Sequence, residues 1–165
     1  MKLERLAVMT GVMRSGMTLR DFFREAARTN VPGLPYADAD DRIVGRISVR
    51  HVFKHIAVPD NLVRLADAVG DRTDKLDLSD MRIVQSLALP VETHLLENIT
   101  SVSPNSSIVK ALVIMEAHNT NYIFLIENGE YRGVVTRMVI ARRMLECIEA
   151  MESEGRDAPG ADATS

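Results

Sequence analysis

Apolar residues recur along the chain with two periods, and the alternation between those periods predicts the elements. Leu19, Phe22, Phe23 and Ala26 follow Thr18 at the i, i+3, i+4, i+7 spacing of an amphipathic helix. Ile108, Ala111, Leu112 and Met115 follow Ser107 in the same way, and both leading residues are good N-caps. Short apolar runs, Leu34 to Ala37 and Tyr122 to Ile126, then read as strands. Each precedes a polar turn (Asp38 to Asp41, Glu127 to Glu130) and a second short strand, Arg42 to Ile47 or Tyr131 to Val135. Asn128-Gly129 is a hairpin signal, because both residues tolerate positive φ. Ser48 and Thr136 close the second strands and open further helices, Val49 to Ile56 before Pro59, and Arg137 to Met151.

The pattern is therefore written twice. Val44-Gly45-Arg46-Ile47-Ser48 returns as Arg132-Gly133-Val134-Val135-Thr136, with the glycines 88 positions apart. The capping residues Thr18 and Ser107 lie 89 apart, so the second copy is one residue shorter between helix and glycine. Two βαββα-type units are expected, at 1–60 and 93–152, with a helical connection at 61–92. In that connection Asn61 caps Leu62 to Val69, Gly70 ends it, and Asp71 to Asp77 form an exposed loop. A second segment, Ser79 to Leu89, places Met81, Val84, Leu87 and Ala88 on one face. The stretch 153–165 is small, polar and Gly/Pro-containing, and is expected to be a disordered tail.

Composition narrows the function. Hydrophobic residues make up 46% of the 165 and charged residues 26%, enough to bury a core. A net charge of −3 offers no general field for nucleic acid. Cys147 is the only cysteine, which excludes an internal disulfide and a multi-cysteine metal site and suits a reducing cytoplasm. No leader is evident at the start, and no apolar run approaches the roughly 20 residues that cross a bilayer.

The two copies resemble the cystathionine-β-synthase (CBS) domain, which occurs as a tandem pair, the Bateman module. The resemblance covers about 6–57 and 93–147. It rests on Leu34-Pro35-Tyr36-Ala37-Asp38 with Ile43 to Ser48, and on Tyr122 to Glu127 with Gly133-Val134-Val135-Thr136. Ile99 to Pro104 looks like the opening strand of the second unit. The resemblance implies an α+β fold of two pseudo-symmetric units packed through their sheets. It also implies a regulatory sensor that binds an adenosine ligand (AMP, ADP, ATP or S-adenosylmethionine) between the units. A homodimer and a partner enzyme or transporter follow from it too, with no nucleic acid and no membrane insertion. The ligand-binding residues implied are Leu34, Pro35, Ser48, Arg50, His51, Thr100, Val102, Tyr122, Ile123, Thr136 and Arg137.

Each of these has a plainer reading. Ser48 and Thr136 can simply cap their helices, worth about 1 kcal/mol. A helix N-terminus with a free hydroxyl also receives phosphate. Three residues further on, where ligand-binding copies of the family carry an aspartate for the ribose, this chain has His51 and Val139. Loss of a charged hydrogen bond of roughly 1.5–3 kcal/mol costs about tenfold to a hundredfold in affinity. His51 can partly replace it and Val139 cannot, so the first copy is the better nucleotide candidate. Arg46, Arg50, Arg132 and Arg137 are either solvated side chains or phosphate partners. His51 and His55 have a chelating i, i+4 spacing without an evident third ligand, so no metal is expected, nor any required cofactor. His94 and His118 lie in other elements with no motif around them. Cys147 reads as a packing residue, and no nucleophile elbow, phosphate loop or dinucleotide fingerprint occurs, so no enzyme activity is expected. Ile140, Met144, Ile148 and Met151 form a stripe on the last helix that completes the core or meets a second subunit or partner protein. On the alternative reading Met138 and Val139 fill degenerate clefts, and the pair is a dimerising interaction module.

Overall fold

The computed structural model describes residues 2–57 and 81–156. The first unit contains α1 (Leu19–Thr29), β1 (Gly33–Ala37), β2 (Ile43–Ser48) and α2 (Val49–Ile56). After a short helix, α3 (Met81–Ser86), the second unit follows with β3 (Ser101–Val102), α4 (Ile108–Ala117), β4 (Tyr122–Glu127), β5 (Glu130–Thr136) and α5 (Arg137–Arg156). The predicted connection helix at Leu62 to Val69, its cap Asn61, the Asp71 to Asp77 loop and the tail beyond 156 lie outside the described residues. Residues 153–156 continue α5.

Local chemistry explains the element starts. Thr18 accepts from the Asp21 amide at 3.4 Å while Asp21 accepts from the Thr18 amide at 3.0 Å, a reciprocal capping box. Ser107 accepts from the Lys110 amide at 3.2 Å. Asn30 ends α1 in the left-handed region, and Asn128-Gly129 turns the β4–β5 hairpin with φ of 52° and 80°.

The β1–β2 pair is antiparallel; in the second unit β3 joins β4 in parallel and β4 joins β5 antiparallel. The first unit has an equivalent of β3 in miniature, since Met13 bridges Tyr36 in parallel just as Ser101 pairs Phe124. Side chains of β4 alternate with period two. Ile123 and Leu125 join Ala111, Met115 and Ile140 in the second unit's own core, while Tyr122 and Phe124 point the other way. Together with Val134 they pack among Phe22, Leu34, Tyr36 and Ile47 of the first unit, so the two sheets share one interior.

The segments ahead of each unit cross over. The turn Leu3–Leu6 buries Leu3 and Leu6 in the second unit's core, whereas Val91, 88 positions on, is buried in the first unit's core. Val8 exchanges backbone hydrogen bonds with Val134 (2.8 and 3.0 Å), and Leu96 does so with Arg46 (both 2.9 Å). The repeated glycines serve this crossing. A Cβ on Gly133 would stand 3.1 Å from the Val8 carbonyl, and one on Gly45 would stand 2.7 Å from that of Leu96. Val84, expected on a packed stripe of the connection, is 58% exposed on α3. The carbonyls just after that helix instead receive the first amides of α1, Leu87 from Arg20 and Leu89 from Leu19.

Candidate functional site

Two adjoining cavities open where the units meet, sharing Pro32 and Asn121 in their walls. The larger, about 700 Å³, is mainly apolar, with Phe23, Ala26, Val31, Val49 and Met138, and amides from Asn30 and Asn121. The smaller, about 320 Å³, is basic, with Arg46, Arg50, His51 and Lys54 beside Ser48 and Tyr122. Among the described residues that line it there is no aspartate or glutamate.

Of the two readings of Ser48, the cap on α2 is not made. Its side chain makes no capping hydrogen bond although the residue is only 7% exposed, so an uncommitted hydroxyl stands at a helix N-terminus on the wall of the basic cavity. Thr136, its equivalent, accepts from the Val139 amide at 3.2 Å and so caps its own helix, with its O–H left to donate. The arginines differ in the same sense. Arg137 is paired with Glu116 at 2.8 Å and also donates to the Thr120 carbonyl at 3.4 Å. Arg50 is exposed on the first turn of α2 and lines the cavity with no ion pair among the described residues. Arg46 is anchored across the seam, donating to the Tyr122 hydroxyl and, at 3.0 Å, to the Asn98 carbonyl, with its guanidinium 5.6 Å from the Tyr122 ring centre. Tyr122 can lie there because residue 33 is glycine; a Cβ at Gly33 would fall 2.1 Å from the tyrosine Cζ.

The structure adds a third histidine to the pair seen in sequence. The His51 and His55 rings are 4.4 Å apart, and His94 approaches them at 6.2 and 5.7 Å. His94 is buried where the crossing segment docks, and its Nδ1 has no partner. Burial first, then His55, His94, Arg46 and Lys54, push the His51 imidazole below its ordinary value; burial and His55 do the same to His94. Among the described residues no group of three histidine, cysteine or acidic side chains is disposed to hold a metal ion.

Of the residues expected to touch a ligand, Ser48, Arg50, His51 and Tyr122 come together in the basic cavity, and Thr136 and Arg137 line the apolar one. Leu34, Val102 and Ile123 do not join them, because their side chains are buried in the two cores. Pro35 is buried in β1 with its carbonyl bound to the Met13 amide, and the half-buried Thr100 likewise gives its carbonyl to Phe124. Neither lines a cavity described here. Lys54, Asn119, Thr120 and Asn121 went unnoticed in the sequence; only the offset of four from Arg50 to Lys54 pointed to one of them. Met138, expected to plug a cleft, is 69% exposed at the rim of the apolar cavity.

Residues 91–146 match the family model of the CBS domain. The chain is also similar to solved CBS-domain structures. One is a CBS-domain-containing protein of unknown function from Bacillus anthracis (17% identity, TM-score 0.60, covering 88% of this chain and 94% of that one). Another is a CBS-domain-containing protein from Agrobacterium tumefaciens (14%, TM-score 0.63, covering 87% and 92%). A third is a CBS-domain pair solved with 5′-methylthioadenosine and S-adenosyl-L-methionine (13%, TM-score 0.60, covering 89% and 98%). No curated protein matches. The fold is thus that of a tandem CBS pair, with its second unit matched by sequence as well.

Proposed function

We propose that this CBS-type pair is a regulatory module that binds an adenosine nucleotide at the seam between its units, without catalysing a reaction itself, and signals occupancy to a partner. The observation that carries the reading is Ser48. The hydroxyl of this buried residue makes no cap and lies on the wall of a basic cavity at the N-terminus of α2. Phosphate oxygens are what a helix terminus, a free hydroxyl and arginine together recognise. The adjoining apolar cavity offers Phe23, Val31 and Met138 to a purine, with the amides of Asn30 and Asn121 to read its edge. The solved pair holding adenosine compounds supports the class of ligand.

A ligand spanning the two cavities touches both units, so its binding energy favours one relative orientation of the sheets and can be passed on. No helix among the described residues is long and apolar enough to cross a membrane, and a cytoplasmic setting is part of the proposal. So is a homodimer. The second reading, an interaction module, is favoured by one observation: Met144, Leu145, Ile148 and Met151 stand about half or more exposed along α5.

Thermal shift with AMP, ADP, ATP and S-adenosylmethionine separates the two. At a ligand concentration a hundred times Kd the stabilisation is about 2.7 kcal/mol, a readily measured rise in Tm. A rise with at least one supports the sensor; none with any of the four removes the nucleotide and leaves the interaction module.

A further inference from the structure

On the reading that the basic cavity receives phosphate, we infer that it selects its ligand by phosphate charge and takes up a proton on His51 as the anion enters. The lining supplies the reason. Arg46 from β2 and Arg50, His51 and Lys54 from α2 converge on one small space, and the second unit contributes only the neutral Asn119, Thr120, Asn121 and Tyr122. Leu96 and Pro32 complete the described lining, which includes no carboxylate.

Among the described residues, the groups facing His51 are all cationic or neutral. They are His55, Lys54 and Arg50 on its own helix, Arg46 on β2 and His94 on the crossing segment. Glu92, on the same turn as His94, is held instead by the Tyr36 hydroxyl at 3.2 Å. This surround and partial burial keep the free imidazole neutral near pH 7. An incoming phosphate reverses the sign of the local field and turns the ring into a charge-assisted donor. Linkage then runs one way: the bound state holds more protons than the free state, so affinity rises as pH falls. Val139 stands at the equivalent place in the second unit and has no proton to exchange.

Calorimetric titration of the full chain tests this with ATP, ADP, AMP and adenosine at pH 8 and pH 6, in two buffers of different ionisation heat. The phosphates titrate themselves, so the readout is wild type against His51→Gln, with Tm confirming that the variant is folded. Affinity is expected to fall by about tenfold or more from ATP to adenosine. Wild type should take up more protons per ATP than His51→Gln and gain about threefold to tenfold more affinity between pH 8 and pH 6. Arg50→Ala should weaken binding and keep the extra proton. Equal proton uptake in the two proteins, or adenosine binding as tightly as ATP, overturns the inference while leaving nucleotide binding intact. Binding of none of the four at either pH overturns the underlying reading as well.

Discussion

The two helix starts that follow the repeated glycine strands hold equivalent places in the two units and differ in what their side chains do. At the start of α5 the threonine hydroxyl accepts from its own helix, and the arginine beside it is neutralised by Glu116 across a 2.8 Å ion pair. At the start of α2 the serine makes no cap and Arg50 has no ion pair among the described residues. The same backbone position is thus capped on one side and left uncapped on the other. Thr136 commits an acceptor site of its hydroxyl to its own helix, whereas Ser48 keeps the whole of its hydroxyl uncommitted.

The comparison breaks most visibly at the arginines. Arg50→Ala should weaken nucleotide binding by about tenfold to a hundredfold, the worth of one charged hydrogen bond. Arg137→Ala should change affinity by less than about threefold, because its guanidinium is already engaged. Titration calorimetry on both variants reads the contrast, and equal losses would dissolve it.

The seam offers a test through packing. Gly33→Ala forces a methyl group against the Tyr122 ring, and destabilisation of about 1–3 kcal/mol is expected by chemical denaturation. The displaced Tyr122 also releases Arg46, so affinity should fall in the same variant. Loss of neither would mean the seam is looser than the contact implies.

The hydroxyls should show crossed effects of about 1 kcal/mol each. Ser48→Ala lowers affinity and leaves stability nearly unchanged; Thr136→Ala lowers stability, as lost caps do, and leaves affinity nearly unchanged.

The smallest expected effect is in pH. His51 and His94 are held below their ordinary values when folded, so the unfolded chain binds more protons as pH falls through the ordinary histidine range. Stability should therefore decline from pH 7 toward pH 5. His94→Leu, which copies the equivalent Leu6, should flatten the Tm profile; an unchanged slope would clear His94 of any part in it.

What the sequence disclosed was local. Thr18 and Ser107 as caps, Asn128-Gly129 as a hairpin and the spans of α2 and β5 follow from neighbours within a few positions. The distant pairings stayed hidden. Nothing near Leu3 or Val91 says that each is buried in the unit across the seam, and nothing near His94 says that it meets His51 and His55. Leu34, Pro35, Val102 and Ile123, strand residues expected at the ligand, do not line the cavities, for a related reason. All of β1 is buried, so its sequence does not distinguish a cavity-facing side chain from a core one, and Leu34 turned out to be core. Ser48 misled in the opposite direction, since the general need for helix caps predicts a bond that this helix does without.

The central claim is that the phosphates of the nucleotide meet the first unit's helix start and not the second's. Titration of the full chain with ATP, repeated on Ser48→Ala/Arg50→Ala and on Thr136→Ala/Arg137→Ala, addresses it directly. The account predicts one ATP per chain, retained by the second double variant and lost or weakened by about a hundredfold in the first. Two ATP per chain, or binding that survives the first pair of substitutions and fails with the second, would contradict it.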